Sequence, residues 1–531
     1  MKKILILCGM FLISTAFAQD DKQKNPGVEL PDFVITGKEN ISIQSSNKIK
    51  PDFVPIISEE FIKPVFSPEQ LETKDIGNPV KEDLNLFDSL NFYKGRLKVG
   101  AGLYTLPEAQ VTFSEPFNSG LFNVGLIGFN RRAYVDNSDR YGLTGTAALK
   151  YFVGDDSKFL PGSEIKIDGS YGINSYKLFA SNFPNIRRSF GLGNAALQFN
   201  YLTNKVIVAA VKLEDEFASL NDVTFSENVF KISGMSRLQL SNFAIGVNAK
   251  FVSASLENSL FSAASFGYTD LRPFLGLIIS DGLKATIGMD FAFYDGKTSF
   301  NPYVSLGLKL DKNISMFAEF APRTEFISAG TFLKRNQYLK ADSVTGVFYN
   351  LGSNIRAVVK YEYGKYFEVD GGFEYISSQN YPYFAPALTK GEFIIASVAA
   401  KRFEGFLNLI FHTGPYGILY GSFSFRDTRD TSNSIVPYNS AIVADLHYSY
   451  NINAKFNAGF SVDFRSGSFT DLTNTKKAEG LFDLGLNLGY QVNTKFMWTF
   501  EVNNLINRSN YLWDGYKEQP LDVVAGFKYQ W

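Results

Sequence analysis

Cysteine, histidine and long apolar runs are scarce in this sequence, and each scarcity removes a class of function. The one cysteine, Cys8, lies inside an apolar run over residues 4–18. That run follows Met1-Lys2-Lys3 and ends in Ala16-Phe17-Ala18, before Gln19-Asp20-Asp21. A basic start, an apolar stretch and small residues before a polar break predict a secretory signal peptide over 1–18. The run is shorter than the roughly 20 apolar residues a membrane helix needs. Leu7 is too large a neighbour for Cys8 to be a lipid-attachment cysteine. Once the leader is removed no cysteine remains, which excludes disulfides, thiolate catalysis and cysteine metal sites. No later stretch has the length of a spanning helix. The two histidines, His412 and His447, lie too far apart to suggest a metal site, and neither a metal nor a cofactor is expected. Formal net charge is −1, with no basic cluster and no phosphate-cradling glycine loop. Nucleic acid is therefore not an expected partner.

Strand formers and aromatics are abundant instead: Phe 51, Tyr 28 and Gly 44, with 20% charged residues. From about residue 92 the chain alternates almost without pause. Leu97, Val99, Ala101 and Leu103 share one face, against Lys98, Gly100 and Gly102. Val304, Leu306 and Leu308 oppose Ser305, Gly307 and Lys309. Phe367, Val369, Phe373 and Tyr375 oppose Glu368, Asp370, Gly372 and Glu374. Phe460, Val462 and Phe464 oppose Ser461, Asp463 and Arg465, and Phe482, Leu484 and Leu486 oppose Asp483, Gly485 and Asn487. A strict period of two is the mark of a strand with one apolar and one polar face. The final residues keep it, with Val523, Ala525, Phe527, Tyr529 and Trp531 on one face and the chain ending on its last aromatic. An open sheet ending this way would expose a sticky edge, whereas a closed barrel has none.

An all-β transmembrane antiparallel barrel over 92–531 is therefore predicted, of about 22 strands within a range of 18 to 24. Its apolar faces should meet outer-membrane lipid. Its polar faces should line a wet lumen, with Lys98, Lys309, Glu368, Asp370, Glu374, Asp463, Arg465 and Asp483 as lumen-facing candidates. Tyr361, Tyr363, Tyr448, Tyr450 and Trp498 stand near strand ends and suit aromatic girdles. Short polar breaks at 364–365, 451–454 and 492–494 read as periplasmic turns. Long ones near 322–351, 379–390, 427–438, 467–479 and 508–518 read as extracellular loops. Between 391 and 415 this alternation slips by one strand.

Residues 19–91 have a different character, with Pro26, Pro31, Pro51, Pro55, Pro64, Pro68 and Pro79 among polar residues and no sustained alternation. An extended periplasmic segment is expected. Within it, Leu30-Pro31-Asp32-Phe33-Val34-Ile35-Thr36-Gly37 resembles the short stretch by which many TonB-dependent receptors bind TonB. The physical basis is addition of a strand to a sheet edge. A second resemblance lies at the other end. Val502-Asn503-Asn504-Leu505-Ile506-Asn507-Arg508, then Asp514-Gly515-Tyr516, Pro520 and the terminal aromatic strand, resembles the closing hairpin of the same family. The resemblance implies an outer-membrane location. It also implies that Phe527, Tyr529 and Trp531 form the signal read by the barrel-assembly machinery. The family's folded plug has no room between residues 38 and 91, so a plug-less relative is expected, with the 19–91 segment or inward loops filling the lumen.

Two functions from different classes follow. The first is a barrel that binds or transports an unknown solute, gated by 19–91 or by loops. The second is a structural or assembly barrel whose N-terminal segment docks a periplasmic or secretion partner. A third, catalytic, reading would use His447 as a base beside Asp445 on the polar face. A solvated lumen histidine explains the same pattern more simply, and no enzyme is expected. Glu368, Asp370 and Glu374 could likewise act as paired acids, but are more simply a charged wall.

Overall fold

The computed structural model describes residues 93–531, apart from 155, 159, 202–205, 260–263, 281, 341, 343, 364–366 and 413–416. The leader, the 19–91 segment, its 30–37 stretch and the plug region all lie outside the described residues. The described chain is a closed antiparallel barrel of 22 strands. In order they are β1 (Gly95–Gly102), β2 (Thr105–Phe117), β3 (Gly120–Arg131), β4 (Arg140–Phe152), β5 (Glu164–Lys177), β6 (Arg187–Tyr201) and β7 (Ile207–Leu220). Next come β8 (Phe225–Leu240), β9 (Phe243–Asn258), β10 (Ala264–Ser280), β11 (Leu283–Tyr294), β12 (Lys297–Lys309) and β13 (Ile314–Phe320 with Arg323–Ile327). They continue as β14 (Val347–Tyr363), β15 (Phe367–Pro386), β16 (Phe393–His412), β17 (Ile418–Asp430), β18 (Ile442–Asn451) and β19 (Phe456–Arg465). The last are β20 (Leu481–Gln491), β21 (Phe496–Asn503) and β22 (Asp522–Gln530).

Each strand pairs with the next, and β22 closes onto β1, with Phe527 opposite Val99 and Tyr529 opposite Leu97. Gly95 and Trp531 complete the seam by exchanging backbone hydrogen bonds of 3.1 and 3.0 Å. Both described chain ends therefore lie at one rim, the terminal rim. The aromatics Tyr363, Trp498 and Trp531 are exposed beside it. The terminal rim also carries tight connections, including residues 118–119, 241–242, 310–313, 452–455 and 492–495. The opposite rim, the loop rim, carries the long ones at 328–346, 431–441, 466–480 and 504–521. The slip between 391 and 415 disappears because Phe393–His412 is one strand of 20 residues.

Several strands run further than their outward belt of apolar residues. A spanning strand needs only about 9–11 residues, yet β15 and β16 each have 20. Segments expected as loops are strand instead, including Arg323–Ile327, the end of β15 to Pro386 and the end of β17 to Asp430. In these extensions the polarity reverses. Along β9, Phe243, Ile245, Val247 and Phe251 are exposed on the outer face, but Ser253, Ser255 and Glu257 continue that face toward the loop rim. Over the same stretch the inner face becomes buried Val252, Ala254 and Leu256. On β10 the outer face likewise changes from Leu275 and Leu271 to Thr269, Gly267 and Ser265. Outside the belt the surroundings change from lipid to water, so the outer face must become polar and apolar residues find cover only inside.

β13 is broken where the chain passes Ala321-Pro322. Proline has no N–H for a ladder, and pairing with β12 stops at Val304–Phe320. The following Arg323–Ile327 still pairs with β14, but turns over the inner wall. There Tyr268 on β10 donates a 2.5 Å hydrogen bond to the Thr324 carbonyl, and Phe326 packs on Phe266 at 5.8 Å.

Candidate functional site

The chain from β13 does not leave the barrel at the loop rim. It turns across the mouth as residues 328–346, beginning with a short helix α1 (Ala329–Arg335). Ser328 caps the helix by accepting from Thr331 N at 3.2 Å. On the opposing wall Glu227 of β8 accepts from Ala329 N at 2.8 Å and Gly330 N at 2.6 Å. These are backbone donors that a first helical turn otherwise leaves without partners. Gly330 is needed for the close approach, since a Cβ there would stand 2.9 Å from the Ala218 side chain. Further along, Tyr176 Oη donates to the Gln337 carbonyl at 2.6 Å, and Arg188 Nη1 donates to the Leu339 carbonyl at 2.7 Å. Arg188 is itself held by Asp222 at 2.8 Å. On the other flank Phe393 N donates to the Tyr338 carbonyl at 3.2 Å, and Lys340 N to the Phe393 carbonyl at 2.7 Å. β5–β8 and β16 thus grip one crossing segment from well-separated parts of the ring.

Four other connections converge on this crossing. Phe179, after β5, meets Tyr516 edge-on at 4.9 Å, and Tyr516 stacks on Tyr338 at 3.4 Å. Trp513 packs against Phe393 at 5.3 Å and against Tyr438, after β17, at 4.9 Å. Tyr516 Oη donates to the Gly391 carbonyl at 2.7 Å. Phe332, Leu333, Leu339, Val436 and Tyr516 are almost wholly buried in the resulting apolar cluster. Each such side chain stabilises the arrangement by roughly 1.5–3 kcal/mol relative to exposure. A packed cap therefore spans the loop rim. Burial pushes the Tyr338 hydroxyl well above its ordinary range, and burial with the Glu518 charge pushes Tyr134 up to about 12.

Below the cap the polar strand faces form the inner wall, and several charges on it are answered across strands. Lys98 reaches Glu501 at 2.6 Å and Glu108 at 3.8 Å. Glu368 binds Lys360 at 2.6 Å, Asp370 accepts from Asn408 at 2.8 Å, and Glu374 pairs with Arg402. These three carboxylates each have a different partner. Lys309 is exposed where β12 ends at the terminal rim. Asp463 stands opposite both Asp445 and Asp483 in the ladder, with Arg465 Nε 3.7 Å away. Asp483 accepts from Asn504 N at 2.7 Å. His447 shares the inner face with Asp445, and its ring lies 6.3 Å from that of Tyr420. Asp427 is engaged by Arg429 at 2.9 Å, and Asp430 accepts from Ser432 N and Ser434 N within its own turn. Among the described residues no group of three His, Cys, Asp or Glu is placed to hold a metal ion.

Sequence reasoning allowed for inward loops but did not identify the 328–346 crossing or its anchors Tyr176, Arg188 and Glu227. One signal was available: Phe332, Leu333, Tyr338 and Leu339 sit in a stretch read as a water-exposed loop, where such a run has no place.

No protein-family model and no curated protein matches the chain. Solved structures do. The FrpB iron transporter from Neisseria meningitidis superposes with a TM-score of 0.62 at 12% identity, over 83% of this chain and 82% of that one. The ferric enterobactin receptor from Pseudomonas aeruginosa gives 0.59 at 9%, over 82% and 80%. The copper transporter OprC gives 0.58 at 12%, over the same shares. At such identities the likeness shows the fold. The resemblance read from the closing hairpin extends to the whole barrel, which has the fold of TonB-dependent receptor barrels.

Proposed function

We propose that the protein is an outer-membrane transport barrel, with its terminal rim in the periplasm and its loop rim outside. A solute crosses through the polar lumen when the cap over 328–346 is displaced. The observation that carries this reading is a polar-walled barrel with one mouth spanned by a packed cap that is tied to the wall at a few anchors. A purely structural barrel has no need for a wall of paired charges beneath such a cap. The printed roles of the structural neighbours, iron, ferric enterobactin and copper uptake, support transport in general.

In this reading Lys98, Lys309, Glu368, Asp370, Glu374, Asp463, Arg465 and Asp483 line the route and favour solutes by charge. Leu30 to Gly37 dock TonB or another periplasmic protein by strand addition. Phe527, Tyr529 and Trp531 serve the barrel-assembly machinery, and the 19–91 segment adds a second control from the periplasmic side.

Single-channel conductance in planar bilayers tests this. The full chain should be quiet. A variant with 328–346 replaced by a short glycine–serine link should open large, steady channels, and removal of 19–91 should widen them further. A cap-replaced barrel that inserts, keeps its heat-modifiable migration on gels and still passes no current would reject the transport reading.

A further inference from the structure

Beneath the turned-in segment Arg323–Ile327, a set of ionisable side chains is almost wholly shielded from water. Asp270 and Arg272 come from β10, Asp290 from β11, and Arg323 and Glu325 from the segment itself, all of them buried. Arg323 and Glu325 satisfy one another at 2.6 Å. That leaves the single guanidinium of Arg272 for two carboxylates. Its Nη2 donates to Asp270 at 2.5 Å, and its Nε is shared between Asp270 at 3.2 Å and Asp290 at 3.1 Å. Asp290 Oδ2 is buried and receives no hydrogen bond. Donors on the adjoining strands do not fill that lack. The Tyr268 hydroxyl donates to the Thr324 carbonyl, and the Tyr303 hydroxyl reaches no partner. Asn301, opposite Asp290 in the ladder, donates to Ser299. The other charges around the set are Lys250, opposite Asp270 on β9, and Glu319, near Arg323. Both are half-buried and of opposite sign, so they leave the balance of the buried set unchanged. Fully ionised, that set would hold three carboxylates against two guanidiniums. Asp270 and Asp290 lie within hydrogen-bonding reach of each other, and two ionised carboxylates so placed, away from water, repel strongly. One proton removes the repulsion, balances the set and makes Asp290 a donor toward Asp270.

We propose that Asp270 and Asp290 hold one proton between them, and that this proton keeps Arg323–Ile327, and with it the start of the cap, laid against the wall. Losing the proton leaves a buried negative charge beneath the segment, and that charge regains water only when the segment lifts. The pair therefore binds its proton more tightly with the segment seated than with it lifted. By linkage, the seated position is favoured at low pH and weakens as pH rises. The site stands on this geometry and does not depend on the transport reading.

The test uses the full chain in detergent, with Cys8→Ser and a nitroxide on Lys334→Cys, an exposed position on α1. Nitroxide mobility should rise with pH in one step, the mobile fraction changing by at most about tenfold per pH unit, as for one proton. Asp290→Asn, whose amide donates at every pH, should stay immobile across the same range. In parallel, the infrared band of a protonated carboxyl at neutral pH should weaken in Asp290→Asn relative to the parent. Bands from other buried carboxyls, such as Glu227, cancel in that difference. Asp270→Asn should have the same two effects, and keeps the test valid if Asp290→Asn does not fold. Asp311→Asn, in an exposed turn at the terminal rim, should change neither readout. A mobility step that persists in both pair variants, a parent without one, or an unchanged carboxyl band would overturn the proposal.

Discussion

The belt and the loop rim are built from the same strands, yet they follow opposite rules. In the belt of β9, Ile245 and Val247 point outward while Asn248 and Lys250 face the lumen. A few residues on, Ser253 and Ser255 point outward and Val252, Ala254 and Leu256 are buried inside. The backbone and its two-residue period do not change between the regions; the outer solvent does. Lipid accepts apolar faces and leaves the lumen wall to charges that pair across strands, as Lys98 does with Glu501. Water above the belt makes an apolar interior favourable again, and the cap forms there. Among the described residues the largest buried apolar cluster thus lies at the loop rim, where the cap is.

The comparison breaks most severely where the cap core is emptied. Phe332→Ala should cost about 3–5 kcal/mol of cap stability, as for a large buried aromatic. It should leave the barrel's heat-modifiable migration unchanged while raising open-channel probability. If barrel melting falls instead, cap and wall are one cooperative unit and the two-region view fails.

A charge moved between the regions sharpens the contrast. Val247→Arg, at the middle of the outward apolar run of β9, should cost roughly 2–4 kcal/mol in a lipid-reconstituted unfolding titration. Ser255→Arg, on the same face of the same strand but beyond the belt, should fall within about 0.5 kcal/mol of the parent. Equal costs would mean that the belt boundary lies elsewhere on β9.

Glu227 joins the regions, because it is a wall residue that ties down the cap. Glu227→Ala leaves the Ala329 and Gly330 N–H groups without that acceptor and should loosen the cap by about 1–3 kcal/mol. Faster hydrogen exchange confined to residues 328–346 would report it, whereas unchanged exchange would show that apolar packing alone holds the cap.

The smallest effect is expected at Asp471, in the 466–480 loop. Burial disfavours its charge slightly, but bonds from Thr473, Thr475 and Lys476 hold its pKa down at about 2. A depressed folded-state pKa adds stability that is fully present above the ordinary carboxylate range of about 4 and is lost as pH falls toward about 2. The group is largely exposed, so screening reduces the contribution to a few tenths of a kcal/mol. Asp471→Asn should therefore loosen this loop slightly at pH 7, by proteolysis rate, and make no difference near pH 2.

Much of this was legible in the residues. The alternation of Phe460, Val462 and Phe464 with Ser461, Asp463 and Arg465 cannot be satisfied in a helix, and its recurrence along the chain called for a barrel. The cap was not legible for two reasons. The period of two persists through the polarity reversal, so Arg323–Ile327 and the ends of β15 and β17 looked like breaks. The cap's partners also lie far away in sequence: Glu227 is 102 residues from Ala329, and Tyr176 is 161 from Gln337. Local pattern says nothing about pairs of that kind. The sequence by itself therefore determined the barrel, because each strand's two faces declare what solvent they require. Only the tertiary structure decided that a cap spans the mouth, because the cap joins distant loops whose apolar residues find cover against one another and against wall residues such as Tyr176, Phe190 and Phe393.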